Sequence, residues 1–334
     1  MLIDTGPDEC YPALRERLLA IRPGSDGRRR IDLFVVSHID HDHIGGAGLL
    51  LGDDELRLRF DDIWFNAPPQ RRVRGVAEGQ ALAELLGAGE AGAALPWNLA
   101  WKGQPVVTRA AGGGTVVQPR PGLPKLTVLS PTPAQLEDLY KVWARELERL
   151  RRKERDAPEP EPEPAERRTR SASLDLQALA DKRTSNDGSV PNGSSIALLI
   201  EHQGASALLC ADAFPDVLVA QLKAIAASCG RPTVEVDLVK LSHHGSRANV
   251  TQALVAAAPA KHYVVSTNNA YFRHPNDEAV ARVITGADAP VLWFNHDTER
   301  NRRWDSEALK RDHGFEVRFP QEPGFGAVIE LEGR

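Results

Sequence analysis

The sequence predicts a layered α/β protein, and three observations carry that expectation. Short runs rich in β-branched and apolar residues, such as Ile31-Asp-Leu-Phe-Val-Val-Ser37, read as strands buried on both faces. Stretches with apolar residues at helical spacing separate them, and from Ser195 onward strand and helix patterns alternate cleanly. No self-similarity at a fixed period suggests a solenoid.

In chain order, Met1–Asp4 reads as the end of a strand, and Tyr11–Arg22 as a helix with Leu14, Leu18, Leu19 and Ile21 on its apolar side. The strand Ile31–Ser37 runs directly into His38–Gly46. Asp62–Phe65 is a further short strand, Val76–Leu86 a helix, and Lys125–Leu129 a strand stopped by Ser130-Pro131. A helix starting at Thr132 or Pro133 follows, with Leu136, Leu139, Val142, Trp143, Leu147 and Leu150 along one stripe. In the second half, strands are expected at Ser195–Glu201, Ala205–Ala211, Val234–Leu241, Tyr263–Ser266 and Val291–Phe294. Helices are expected at Phe214–Ala227, Val250–Ala257 and Asn276–Ile284, and Phe315–Phe319 with Phe325–Leu331 reads as a closing hairpin.

The 334 residues could form one large layered domain or two small ones. A single domain, 1–334, is expected, because strand patterns resume after the one segment of aberrant composition. That segment, 154–172, contains the Pro/Glu repeat Glu159–Pro164 between basic flanks. It is too poor in apolar groups to offset its ordering entropy, so it reads as a disordered or extended insert and as a candidate tether for a protein partner.

Hydrophobic residues make up 42% of the chain and charged residues 26%, the mix of an ordinary globular protein. A net charge of −5 gives no global signature of a nucleic-acid binder, although bound metals can supply positive charge locally. The three cysteines, Cys10, Cys210 and Cys229, have no paired spacing, which argues against a disulfide framework and a thiolate zinc site. Cys210, inside an apolar run, reads as a small core residue. Met1-Leu-Ile-Asp-Thr-Gly6 carries no signal-peptide pattern and no apolar run is long enough to span a bilayer, so a cytoplasmic protein with no membrane partner is expected.

The chemistry concentrates in Ser37-His-Ile-Asp-His-Asp-His-Ile-Gly-Gly46, where His38–His43 alone holds three histidines and two aspartates. Such a density of imidazole and carboxylate at the end of a buried strand is costly without a partner, and a divalent cation is its natural one. In an extended turn His38, Asp40 and Asp42 point the same way, with His43 opening a helix and Gly45 and Gly46 admitting a close backbone.

His-x-Asp-x-Asp-His-x-Gly-Gly resembles the signature of the metallo-β-lactamase superfamily, whose commoner form is His-x-His-x-Asp-His. The Asp form is similar to the metallo-β-lactamase-like domain of bacterial competence DNA-channel proteins and their soluble relatives. Leu2-Ile-Asp4-Thr-Gly6 resembles the strand-end aspartate that orients the metal loop. Leu208-Leu-Cys-Ala-Asp212-Ala213 resembles the aspartate that bridges two metals. Lys240-Leu-Ser-His243-His244-Gly-Ser246 resembles the subgroup's His-His-Gly-Ser block, and Arg273-His274-Pro275 its late His-Pro motif. Asn192 and Ser195 match the subgroup's Asn-x-x-Ser, where the lactamases carry a histidine.

The resemblance implies an αββα sandwich with its N-terminal strand or strands truncated, since the family usually has a strand or hairpin ahead of Ile-Asp-Thr-Gly. It also implies two divalent ions activating a hydroxide. One site would use His38, Asp40 and the Asn192 amide oxygen; the other Asp42, His43, Asp212 and one histidine of the His243–His244 pair. His244 is assigned as the ligand and His243 as the catalytic group facing substrate, with the reverse left open. An oxygen-rich first site admits Mn²⁺ or Mg²⁺ beside Zn²⁺. Asp42 and His274 join His243 as candidate catalytic residues, His274 alternatively being a structural loop histidine; Asp4 is assigned as support for the metal loop. Lys240 and Ser246 are candidate phosphate contacts, Lys240 alternatively being a surface lysine. His41, His202, His262, His296 and His313 read as non-ligands, and Trp97, Trp101 and Trp143 as packing residues.

Fold does not select the reaction. The subgroup pattern implies a phosphodiesterase or nuclease, with basic clusters at Arg28–Arg30, Arg71–Arg74, Arg151–Arg155, Arg167–Arg170 and Arg300–Arg303 available to guide a polyanion. The alternatives are an acyl hydrolase acting on a thioester, ester or lactam, and a non-catalytic metal-binding regulatory module.

Overall fold

The computed structural model describes residues 1–68, 82, 95–109, 112–118, 122–155, 174–269, 273–322 and 326–333. It is mixed α/β with one large sheet, consistent with the expected class. The chain forms two compact units. One comprises Met1–Ala110, Ser130–Arg155 and Ser189–Ile196, the other Ala111–Leu129, Asp156–Gly188 and Ala197–Arg334.

In the first unit, β1 (Leu2–Ile3), β3 (Phe34–Val35) and β5 (Ile63–Trp64) form a parallel sheet in the order β1-β3-β5. A separate parallel pair joins β2 (Arg29–Ile31) to β4 (Leu58–Phe60). The run Ile31–Ser37 is therefore two strands, not the expected one, because its halves pair with different partners. Continuous burial from Leu33 to Ser37 conceals that break in the sequence. The helix Tyr11–Leu19 ends three residues earlier than expected, four positions before Pro23, whose ring cannot continue a helical ladder.

The helix Pro133–Arg155 opens with a reciprocal cap. Gln135 N donates to Thr132 Oγ1 at 3.3 Å, and Thr132 N donates to Gln135 Oε1 at 2.9 Å. Its Leu136, Leu139 and Trp143 enter a core with Phe34, Ile44, Leu50 and Phe65. The side chains of Leu147 and Leu150 lie outside the described residues. So does the expected helix 76–86 apart from Leu82, which is buried in the same core. Glu154 and Arg155, expected in the insert, are the last residues of the helix, and 156–172 lies outside the described residues.

The second unit holds eight strands: β6 (Thr115–Val117), β7 (Lys125–Ser130), β8 (Ala197–His202), β9 (Ala205–Leu209), β10 (Val236–Lys240), β11 (Ala260–Val265), β12 (Val291–Phe294) and β13 (Glu316–Arg318). Their order is β13-β12-β11-β10-β9-β8-β7-β6. β8 and β9 form a hairpin across Gln203 and Gly204, both at positive φ (49° and 84°), as a tight two-residue turn requires. From β9 to β13 every pairing is parallel. The helices Pro215–Ser228, Gln252–Ala257 and Asp277–Gly286 alternate with those strands and pack with them around Leu208, Val239, Tyr263 and Phe294. The expected C-terminal hairpin is absent among the described residues. β13 pairs in parallel with β12, and Gly326–Leu331 forms no strand. No helix among the described residues is long and apolar enough to cross a membrane.

Asp62, 6% exposed, holds one edge of the first unit. Its carboxylate accepts from Ile63 N and Trp64 Nε1 (both 2.9 Å), and from Leu99 N and Ala100 N (2.8 and 2.9 Å). Each buried donor left unmatched costs about 1–3 kcal/mol. Asp62→Ala should destabilise the protein by roughly 3 kcal/mol or more, read as a lower urea midpoint.

Candidate metal centre

β1 and β3 are parallel neighbours, so their C-terminal ends bring Asp4 beside Ser37. Asp4 turns the chain at φ 55° and aims its carboxylate at the metal-loop candidates. Oδ1 accepts from Ser37 N at 2.7 Å, while Oδ2 accepts from Ser37 Oγ at 2.8 Å and from His43 Nδ1 at 2.7 Å. Having given its hydrogen to Asp4, the Ser37 hydroxyl accepts from His38 Nδ1 at 3.0 Å. Both rings therefore carry their hydrogen on Nδ1 and keep the lone pair on Nε2. Burial pushes the Asp4 carboxyl up, but the electrostatic attraction and hydrogen bond of His43, the Ser37 N–H and His38 outweigh it and hold the group below its ordinary range.

The His38 and His43 rings are buried with centroids 4.2 Å apart, and a ligand atom of each lies within 4.8 Å of the other. Ligand atoms of Asp42 and His43 lie equally close, and His38 Nε2 is 3.8 Å from Asp40 Oδ2. The two glycines permit this packing, as expected. A Cβ on Gly45 would fall 2.8 Å from His41 O and 3.0 Å from Asp8 N, and one on Gly46 3.2 Å from Thr5 Cβ. Thr5 in turn donates to His43 O through both N and Oγ1 (2.9 and 3.1 Å). Buried Asn192 and Ser195 belong to the same unit, and Ile196 N donates to Ser37 O at 2.9 Å, fastening their loop to the residue before His38.

In the second unit the cluster again forms at strand ends. Asp212 follows β9, His243 and His244 follow β10, and Ser266 follows β11, one edge of three parallel strands. Asp212 is 2% exposed. Its Oδ2 lies 3.7 Å from His243 Nε2 and 4.0 Å from His244 Nε2. Both histidines sit in the left-handed region, φ 48° and 55°, a conformation costing about 1–3 kcal/mol per residue that the surroundings must impose. His244 Nδ1 donates to Ser266 O at 2.6 Å, the backbone anchor usual for a metal-ligating imidazole.

His243 Nδ1 lies 3.2 Å from Asp187 Oδ2 and 3.1 Å from Asn249 Oδ1. Burial pulls the His243 pKa down, but the Asp187 hydrogen bond and the charges of Asp212 and Asp187 prevail and push it up to about 9. A cation at Asp212 would act in the opposite sense, because metal binding displaces protons from its ligands. His274 completes the group, its ring 5.3 Å from that of His243.

Other candidates sort differently. His41 faces Asp8 at 3.2 Å on the surface. The Ser246 hydroxyl accepts from Ala248 N at 3.2 Å, so it caps its own turn. The Lys240 ammonium is buried and close enough to lower the Cys210 thiol pKa electrostatically, which replaces the surface-lysine reading; burial nonetheless pushes that core thiol up to about 12. Of the arginine clusters, Arg30 pairs with Asp61, Arg300 and Arg303 with Asp277, and Arg302 with Asp297. Those four side chains are engaged in ion pairs, while 71–74, 167–170 and the side chains of 151–155 lie outside the described residues. Trp143 is a core residue, Trp97 donates to Phe65 O and Trp101 meets Trp64 edge-on. Sequence reasoning missed Ser37, Asp187 and Asn249 as functional residues. Ser37 stands directly before His38, but nothing local marks the other two.

The donor set fits a divalent metal. His38, His43, His243 and His244 each have Nδ1 held by an oxygen, the arrangement that presents Nε2 to an ion, with Asp40, Asp42 and Asp212 as hard oxygen donors. The family model of the metallo-beta-lactamase superfamily matches residues 1–57, the stretch containing Asp4 and the whole His38–Gly46 loop. Together with the His/Asp clusters, that similarity indicates a metal-dependent hydrolase. No curated protein matches the chain.

Loss of a partner that orients a metal ligand typically costs about 10–100-fold in metal affinity. Asp4→Ala should weaken Zn²⁺ binding by that factor in a chelator competition while far-UV circular dichroism stays native. Gly245, at φ 86°, would place a Cβ 2.7 Å from Pro275 Cβ. Left-handed strain of about 1–2 kcal/mol adds to overpacking of about 1–3 kcal/mol, so Gly245→Ala should lower the thermal midpoint by several degrees.

Proposed function

We propose that this chain is a metal-dependent phosphodiesterase, with His38, Asp40, Asp42 and His43 of the first unit and Asp212 and His244 of the second as metal ligands. The observation that carries the metal-dependent reading is the common orientation of the four histidines, each with Nδ1 committed to an oxygen. Two divalent ions, when bound, would supply Lewis acidity and an acidified water. Asp4 and Ser37 hold the first cluster, and Asn192, buried in the same unit, would add an amide oxygen. Aspartate and asparagine where the lactamases carry histidine favour harder ions, so Mn²⁺ and Mg²⁺ compete with Zn²⁺.

His243 and His274 form an imidazole pair at the Asp212 cluster, suited to holding a phosphoryl oxygen and to handing a proton to the leaving oxygen. The pairing of Arg30, Arg300, Arg302 and Arg303 with carboxylates favours a small phosphodiester or a short nucleic-acid segment over a long polyanion. The same observation supports a second reading, an acyl hydrolase acting on a small thioester, ester or lactam.

Metal-stripped protein restored separately with Mn²⁺, Zn²⁺ or Mg²⁺ should cleave bis-p-nitrophenyl phosphate, with Asp42→Ala/His43→Ala inactive. Thioester turnover alone would transfer the chain to the acyl-hydrolase reading. Tight metal binding without turnover on any substrate would favour a regulatory module.

A further inference from the structure

Arg282 lies in the helix Asp277–Gly286 and is 4% exposed, an expensive place for a guanidinium unless every N–H finds an acceptor. All five do. Nε donates to Ala180 O at 3.2 Å; one terminal nitrogen donates to Arg247 O and Val250 O at 2.7 and 2.9 Å; the other donates to Lys182 O and Thr184 Oγ1 at 2.7 and 3.2 Å. These acceptors belong to two segments, 180–184 and 247–250. Thr184 Oγ1 also donates to Arg247 O at 2.8 Å, so the segments are tied to each other as well, and Gln252, just beyond the second, donates through Nε2 to Asp181 Oδ1 at 2.9 Å.

Each segment supplies one partner of His243. Asp187 follows the first by three residues, and Asn249 lies within the second, between two of the carbonyls that Arg282 grips. Asn249 Nδ2 bonds Asp187 Oδ2 at 3.0 Å, closing a triangle around the imidazole. We propose that Arg282 is a positioning residue for His243, its five-donor fan fixing the two loops whose Asp187 and Asn249 orient that ring. Lysine cannot take its place, because a compact ammonium has three donors on one atom and cannot span acceptors on two loops. The catalytic consequence rests on the phosphodiesterase reading; the orientation of the ring does not.

The test uses Arg282→Lys and the milder Thr184→Val in the full chain. Imidazole ¹⁵N–¹H spectra of the metal-free protein would be read at the His243 signals, assigned by their loss in His243→Gln, with Asp187→Asn as reference. The His243 signals should move toward those of Asp187→Asn while backbone dispersion stays native. In the metal-loaded enzyme kcat should fall about 10- to 100-fold with KM within about twofold, since misplacing a reacting group by about an ångström has that effect. Unmoved His243 signals in a folded variant overturn the proposal, and Thr184→Val decides if Arg282→Lys does not fold. Absence of turnover in the wild type would overturn only the phosphodiesterase reading, because the ring signals still report.

Discussion

The Asp4 carboxylate accepts from Ser37 N, Ser37 Oγ and His43 Nδ1, and the geometry of the first cluster depends on those three bonds. One group at the end of β1 thereby fixes the end of β3, the tautomer of His43 and, through the Ser37 hydroxyl, that of His38. The arrangement is possible because β1 and β3 are parallel and adjacent, which puts their C-terminal ends at the same edge. Burial of Asp4 would ordinarily favour its neutral form, and the donors around it reverse that balance. A charge so stabilised is a rigid acceptor, and rigidity is what a metal-binding imidazole requires of its neighbours.

The second unit solves the same problem with different parts. Asp212, His243–His244 and Ser266 stand at the ends of three adjacent parallel strands, a constellation that parallel pairing brings together without local sequence proximity. Its two histidines occupy left-handed conformations, and Gly245 lies against Pro275 where a side chain would collide. Strain of this kind persists only when the surroundings over-determine it. Here they do so through the Ser266 carbonyl, the Asp187–Asn249 pair and the Arg282 fan behind them.

Both clusters are thus imidazoles held at Nδ1 and aimed through Nε2, beside carboxylates of low exposure or half-burial. That chemistry is general to divalent-metal hydrolysis, and the similarity of residues 1–57 to the metallo-beta-lactamase superfamily accords with it. On the proposed reading, substrate class depends on subtler matters: oxygen donors at Asp40 and Asn192, the His243–His274 pair, and arginines already engaged with carboxylates.

The sequence by itself determined most of the elements and where histidine and aspartate concentrate. Buried β-branched runs and helical stripes located most strands and helices, and the density of histidine and aspartate in His38–His43 pointed to a cation, because such groups are costly at a buried strand end without a partner. It did not reveal that Ile31–Ser37 is two strands or that the C-terminal hairpin is a parallel edge, since pairing partners lie far away in the chain. Nor did it disclose Asp187, Asn249 or Arg282. An aspartate in a turn and an arginine in a helix look like ordinary surface residues until tertiary packing buries them and supplies acceptors for each donor. Only the folded chain decides that, because burial and hydrogen-bond partnership are properties of residues brought together from distant positions, and no local pattern encodes them.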